Sequence, residues 1–149
     1  GLHPSFGPLG VVKTTSYVAY RVALSRAQRQ RAHEGIFHDE KKNLTEGTRS
    51  TVFLVDGRGR LLTPSLDGIL SGVTRSAVIE VARVLGLRCE ERSIAMRRFK
   101  TAREAFLTSA LLGVMPLVKL DGQPIGAGRP GSVTRQLMAG YRQLVADEC

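Results

Sequence analysis

Thr51-Val52-Phe53-Leu54-Val55-Asp56-Gly57-Arg58-Gly59-Arg60-Leu61-Leu62-Thr63 reads as a strand, a tight turn and a returning strand. Residues 51–55 are β-branched, aromatic or aliphatic, the content that fits a pleated and half-buried surface. Asp56-Gly-Arg-Gly59 is a hairpin turn, and Pro64 stops the second strand. Beyond it the period changes. Ala77, Val78, Val81, Ala82 and Leu85 keep helical spacing over Thr74–Leu85, with Thr74 as the expected N-cap and Gly86 just past the end. A hairpin followed by an amphipathic helix predicts a mixed α/β or α+β layer, not a bundle or an all-β sandwich.

Working outward, Thr15–Arg31 is an expected helix, with Val18, Val22, Ala23 and Ala27 on one stripe. Gly35–Asp39 reads as a short strand ending in the charged turn Asp39–Asn43. Leu87–Ile94 and Glu104–Thr108 read as strands, and Met96–Ala102 as a short helix. Met115–Leu120 and Gln123–Ile125 form a second hairpin around Asp121-Gly122. Ser132–Val145 closes the chain as an amphipathic helix through Val133, Leu137, Met138, Tyr141 and Leu144. Residues 1–10, rich in Gly and Pro, read as a linker or loop.

The chain has 149 residues, 42% hydrophobic and 23% charged, which suits one soluble domain with a sizeable core. No uninterrupted apolar run approaches the roughly 18 residues of a spanning helix, so no membrane association is expected. The start of the chain has neither a basic nor an apolar signal region. Cys89 and Cys149 make neither a disulfide framework nor a zinc site, so a reducing, cytoplasmic setting is the default. The net charge of +9 invites a nucleic-acid reading, but the basic residues are scattered. With five Phe, three Tyr and no Trp, few aromatics stand among them to stack on bases, so no nucleic-acid partner is expected.

Four segments carry candidate chemistry. Lys13 stands in Val11-Val12-Lys13-Thr14-Thr15-Ser16-Tyr17. A lysine forms a Schiff base only as the neutral amine, which a buried strand end at Gly10-Val-Val would favour, although on composition alone an exposed lysine is the commoner case. Glu46 stands in Leu44-Thr45-Glu46-Gly47-Thr48 and, taken alone, is a turn carboxylate. In Leu70-Ser71-Gly72-Val73-Thr74, glycine permits close backbone approach and the free amides of a helix start bind phosphate, although the same residues make a plain helix cap. Phe106-Leu107-Thr108-Ser109-Ala110-Leu111-Leu112-Gly113 offers hydroxyls at a strand end. His3, His33 and His38 show no metal-ligand spacing and no paired nucleophile, and read as structural or surface residues. No metal site is expected.

In this order the segments resemble the fold-type IV pyridoxal-phosphate enzymes: branched-chain and D-amino-acid aminotransferases and aminodeoxychorismate lyase. The resemblance runs from about Leu9 to Tyr141 and implies a D-amino-acid-aminotransferase-like cofactor-binding domain over residues 11–149, a mixed sheet or pseudo-barrel with flanking helices. It implies pyridoxal 5′-phosphate as cofactor and Lys13 as its Schiff-base lysine and proton shuttle. Tyr17 stands at the tyrosine that hydrogen-bonds the cofactor's phenolic oxygen, and Glu46 at the carboxylate facing the pyridine nitrogen. Leu70 falls against the ring, Gly72, Val73 and Thr74 at the phosphate, and Ser109 by the cofactor. Thr108, Ser109 and Ala110 are the implied substrate contacts. Thr51 replaces the usual Asn of the segment after Glu46. Ala110 replaces the threonine usual in aminotransferases, which tilts the resemblance toward the lyase that makes 4-aminobenzoate and pyruvate for folate. An amino-acid transaminase is the alternative, and a non-catalytic fragment or interaction domain a further one. Family members carry an additional N-terminal domain that is not in this sequence and are homodimers. The implied partners are therefore an amino-acid-like small molecule and either a second copy or that domain.

Overall fold

The computed structural model describes residues 1–4, 10–13 and 15–148. Its centre is a five-stranded mixed sheet built on the hairpin of β3 (Thr51–Val55) and β4 (Leu61–Thr63). The strand order is β5-β4-β3-β6-β7, where β5 is Cys89–Glu91, β6 Glu104–Ser109 and β7 Gly113–Pro116. β4 and β5 are parallel, and the other pairs antiparallel. The helix α2 (Val73–Val84) supplies the crossover that a parallel pair requires. The class is the mixed α/β sheet that the hairpin and helix periods predict.

Every residue of β3 and β4 is buried, so alternate side chains feed two cores. Phe53, Val55, Leu61, Phe106 and Val114 face α2 and the helix α3 (Ser132–Glu148), meeting Val78, Val81, Ala82 and Leu137. Phe53 and Phe106 are register partners, stacked with centroids 4.9 Å apart. Val52, Leu54, Leu62, Ala105 and Leu107 face the other way, onto Ile94, Ile125 and the 3-10 helix Met96–Thr101 through Phe99. Ile36 of β1 (Ile36–His38) and Leu44 of β2 (Leu44–Gly47) join this second core. A small hairpin, β8 (Lys119–Leu120) with β9 (Gln123–Pro124), completes the strands. Gly126 follows at φ +54°, where a Cβ would strike the Arg103 carbonyl, so this bend requires glycine.

Three expectations need correction. The helix α1 (Val18–Arg29) starts later than its pattern suggests, and its inward stripe is the buried Leu24 with the half-buried Tyr20, Ala23 and Ala27. Val18 and Val22 lie on the opposite side, 74% and 46% exposed. The strand expected over Leu87–Ile94 shrinks to β5, because only three residues pair with β4. Residues 10–12 are turn and bend and residue 13 is irregular, not a strand, and Val11, Val12 and Lys13 are exposed.

Candidate active site

β2 carries a carboxylate into the protein. All four of its residues are buried, Glu46 among them. A buried carboxylate is costly unless hydrogen-bonded, and two residues from elsewhere in the chain supply the bonds. His3 Nε2 lies 2.7 Å from Glu46 Oε1, and the Tyr20 hydroxyl donates to the same oxygen at 3.3 Å. His3 gets there because the start of the chain runs beside β1. Leu2 bridges His38 in parallel fashion, the Gly1 amino group donates to the Ile36 carbonyl (2.8 Å), and the His3 amide donates to the His38 carbonyl (2.8 Å). The expected linker is therefore tied at its first residues.

Aromatic rings wall this carboxylate. His3 packs edge-on against Phe37 and Tyr20, with centroids 5.5 and 5.8 Å away. Tyr20 stacks on Tyr17 at 4.8 Å. The Tyr17 hydroxyl donates to the Thr48 carbonyl at 2.7 Å. Burial pushes the Tyr17 phenol above its ordinary pKa, and the Glu46 and Glu34 carboxylates add to the shift. The phenol thus stays a proton donor through the neutral range.

A second group of polar atoms sits at the amino end of α2. Gly72 is the N-cap in extended conformation, with no side-chain cap, so among the described residues the first-turn amides have no side-chain acceptor. Thr74, the expected N-cap, lies inside the helix. Among the described residues its buried Oγ1 has no hydrogen-bond partner, and neither has that of Thr108. Thr108 pairs in register with Thr51, and a Cβ on Gly72 would lie 3.3 Å from Thr51 Oγ1, so the two hydroxyls belong to one end of the sheet. Arg75 is buried beneath, its Nη2 donating to the Pro64 carbonyl (2.9 Å) and Glu91 Oε2 (2.6 Å).

The remaining candidate residues are distributed as follows. Leu70 is half-buried and Val73 exposed. The Ser109 hydroxyl accepts the Leu112 amide at 3.2 Å, and Ala110 is exposed in the turn between β6 and β7. Glu46 and Tyr17 are brought together through Tyr20, which the sequence did not single out. His3 was read as structural or surface, and it lies against Glu46. Its signal is a contact 43 residues away along the chain, which no local pattern carries. Among the described residues no group of His, Cys, Asp and Glu can hold a metal ion, and no helix is long and apolar enough to cross a membrane.

The profile of the amino-transferase class IV family matches residues 2–120. The chain belongs to that family. It is 32% identical over 131 residues to the branched-chain-amino-acid aminotransferase of Pseudomonas aeruginosa, spanning 88% of this chain and 42% of that one. It is 32% identical over 105 residues to the D-alanine aminotransferase of Bacillus licheniformis, spanning 70% and 37%. The branched-chain aminotransferase of Thermobaculum terrenum, solved in its PLP (holo) form, superposes with a TM-score of 0.87 at 35% identity, over 94% of this chain and 46% of that one. The chain thus spans less than half the length of these class IV relatives, and the match takes in β2, α2 and β6, the elements that build the site.

Proposed function

We propose that this chain is the cofactor-binding part of an amino-acid transaminase that uses pyridoxal 5′-phosphate. The observation that carries the reading is the pair of buried, unpartnered hydroxyls of Thr74 and Thr108 by an uncapped helix start. Donors without acceptors are what a phosphate would satisfy. The residues present therefore fit the group. Pyridoxal phosphate supplies a conjugated ring that takes up electrons from the α-carbon of an amino acid.

The side chains divide the work. Thr74, Thr108 and the first amides of α2, opened by Gly72, hold the phosphate. Glu46 offers its Oε2 to the ring nitrogen and keeps a proton there. Tyr17 would stand by the phenolic oxygen, and Leu70 by the ring. Lys13 would hold the group through its amine and would serve as base and acid for the α-proton. Ser109 and Ala110 stand by the substrate.

Ala110 tilted the sequence toward aminodeoxychorismate lyase. The branched-chain and D-alanine aminotransferase relatives support transamination instead. The substrate we infer is a branched-chain or D-amino acid, and a second copy of the chain is the inferred partner. The purified protein mixed with pyridoxal phosphate should develop a visible band that borohydride bleaches, with the label mapped to Lys13. Lys13→Ala should show neither. Amino transfer from leucine or D-alanine, without pyruvate release from aminodeoxychorismate, then separates the two reactions. Label spread over surface lysines would reject the site.

A further inference from the structure

We propose that His3 is the positioning residue of Glu46, fixing Oε1 so that Oε2 alone is presented to the ring nitrogen of a bound cofactor. This rests on the reading of Glu46 given above. An ionised carboxylate only accepts hydrogen bonds. Nε2 at 2.7 Å from Oε1 therefore carries the proton and donates it. A protonated Nε2 has no lone pair for the Tyr20 hydroxyl 3.3 Å away, so that hydroxyl donates to Glu46 Oε1 as well. Two donors converge on one oxygen. Among the described residues Oε2 accepts none, and the Glu46 side chain keeps 12% of its surface open.

The terminal torsion of a glutamate is broad and two-fold, so nothing intrinsic fixes which way the carboxylate faces. Donors on one oxygen remove that freedom. The donor must itself be immobile, and His3 is. Its side chain is fully buried, its ring is wedged edge-on against Phe37 and Tyr20, and its amide is tied to His38. Neither His3 nor Tyr20 belongs to the machinery assigned above, and each acts only through Glu46.

Two substitutions separate this role from mere packing. His3→Phe keeps a ring and removes the donor. His3→Gln removes the ring and keeps a donor at the Nε2 position. Each is compared with wild type by the visible spectrum of bound pyridoxal phosphate, by its dissociation constant, and by thermal unfolding without cofactor. The expected result is that His3→Phe folds, shifts the absorption band and binds roughly 10- to 100-fold more weakly, the loss that accompanies one hydrogen bond to a charged group. His3→Gln melts lower and keeps the wild-type band. A wild-type band and affinity in His3→Phe would overturn the inference while the wild type's own binding leaves the site standing. Should His3→Phe fail to fold, a shifted band in His3→Gln overturns it and an unshifted one supports it. A wild-type protein with no reducible cofactor on Lys13 rejects the site reading, and the inference with it.

Discussion

Thr74 and Thr108 each bury a hydroxyl that has no partner among the described residues. An unmade buried hydrogen bond costs about 1–3 kcal/mol, and a valine of the same shape removes that cost. Thr74→Val and Thr108→Val should therefore leave the cofactor-free protein as stable as wild type, or more stable by about 1 kcal/mol. Each should weaken pyridoxal phosphate binding roughly tenfold, the worth of one hydrogen bond to a charged group. Denaturant unfolding without cofactor and a binding titration check the two halves, and a loss of stability in both variants would make the threonines structural. How much of this was legible varies with distance along the chain. Leu70-Ser71-Gly72-Val73-Thr74 announces a helix start in five consecutive residues. The sequence misplaces the cap by two positions because Gly72, not a hydroxyl, takes the extended conformation. Glu46 is legible through its neighbours, whereas His3 and Tyr20 are not, since both reach it by tertiary contact.

The hairpin of β3 and β4 shows how an element encodes its own turn. Asp56 Oδ1 accepts the Arg58 amide (2.9 Å) and the Arg60 amide (3.0 Å), and Oδ2 accepts Arg60 Nε (2.8 Å). Burial pushes the Asp56 carboxyl up, but the Arg60 amide and guanidinium and the Arg58 amide outweigh it and hold the carboxyl below the usual carboxylate range. With the folded value depressed, the stabilisation is present above the unfolded value, about 4, and is lost as pH falls through the folded one. Asp56→Ala should cost about 1–2 kcal/mol at neutral pH by removing turn hydrogen bonds. Its urea midpoint should approach that of wild type at low pH, and a constant gap from pH 7 to pH 2 would refute the linkage. This turn was legible because its donors and acceptor lie within four residues. The amino end of α3 was not. The Val133 and Thr134 amides are capped by Glu104, 29 and 30 residues upstream on β6. β2 escaped notice for a related reason: four residues after a charged turn are too few to display a period.

At the scale of the molecule, one sheet separates two cores, and the alternation along β3 and β6 already sorts their members. The misread face of α1 is its exposed one. Tyr20, Ala23, Leu24 and Ala27 turn toward the protein, while Val18 and Val22 share an open face with Tyr17 and Arg21. Apolar side chains clustered this way mark contact surfaces, and a face that meets its own copy across a two-fold axis makes a closed dimer. Each chain carries a formal charge of +9, so two copies repel. Salt screens that repulsion and leaves apolar contact intact. The wild type should sediment as a dimer at micromolar concentration and dimerise more tightly as sodium chloride rises. Val18→Asp combined with Val22→Asp should be monomeric at every salt concentration. Its unfolding free energy should stay within about 0.5 kcal/mol of that of the wild-type monomer, since neither valine is buried. An acidic residue in the first turn, of which α1 has none, favours the helix further. A wild type that sediments as a monomer throughout would remove this face as the contact between copies, and dimerisation that weakens with salt would make the contact ionic and place it elsewhere.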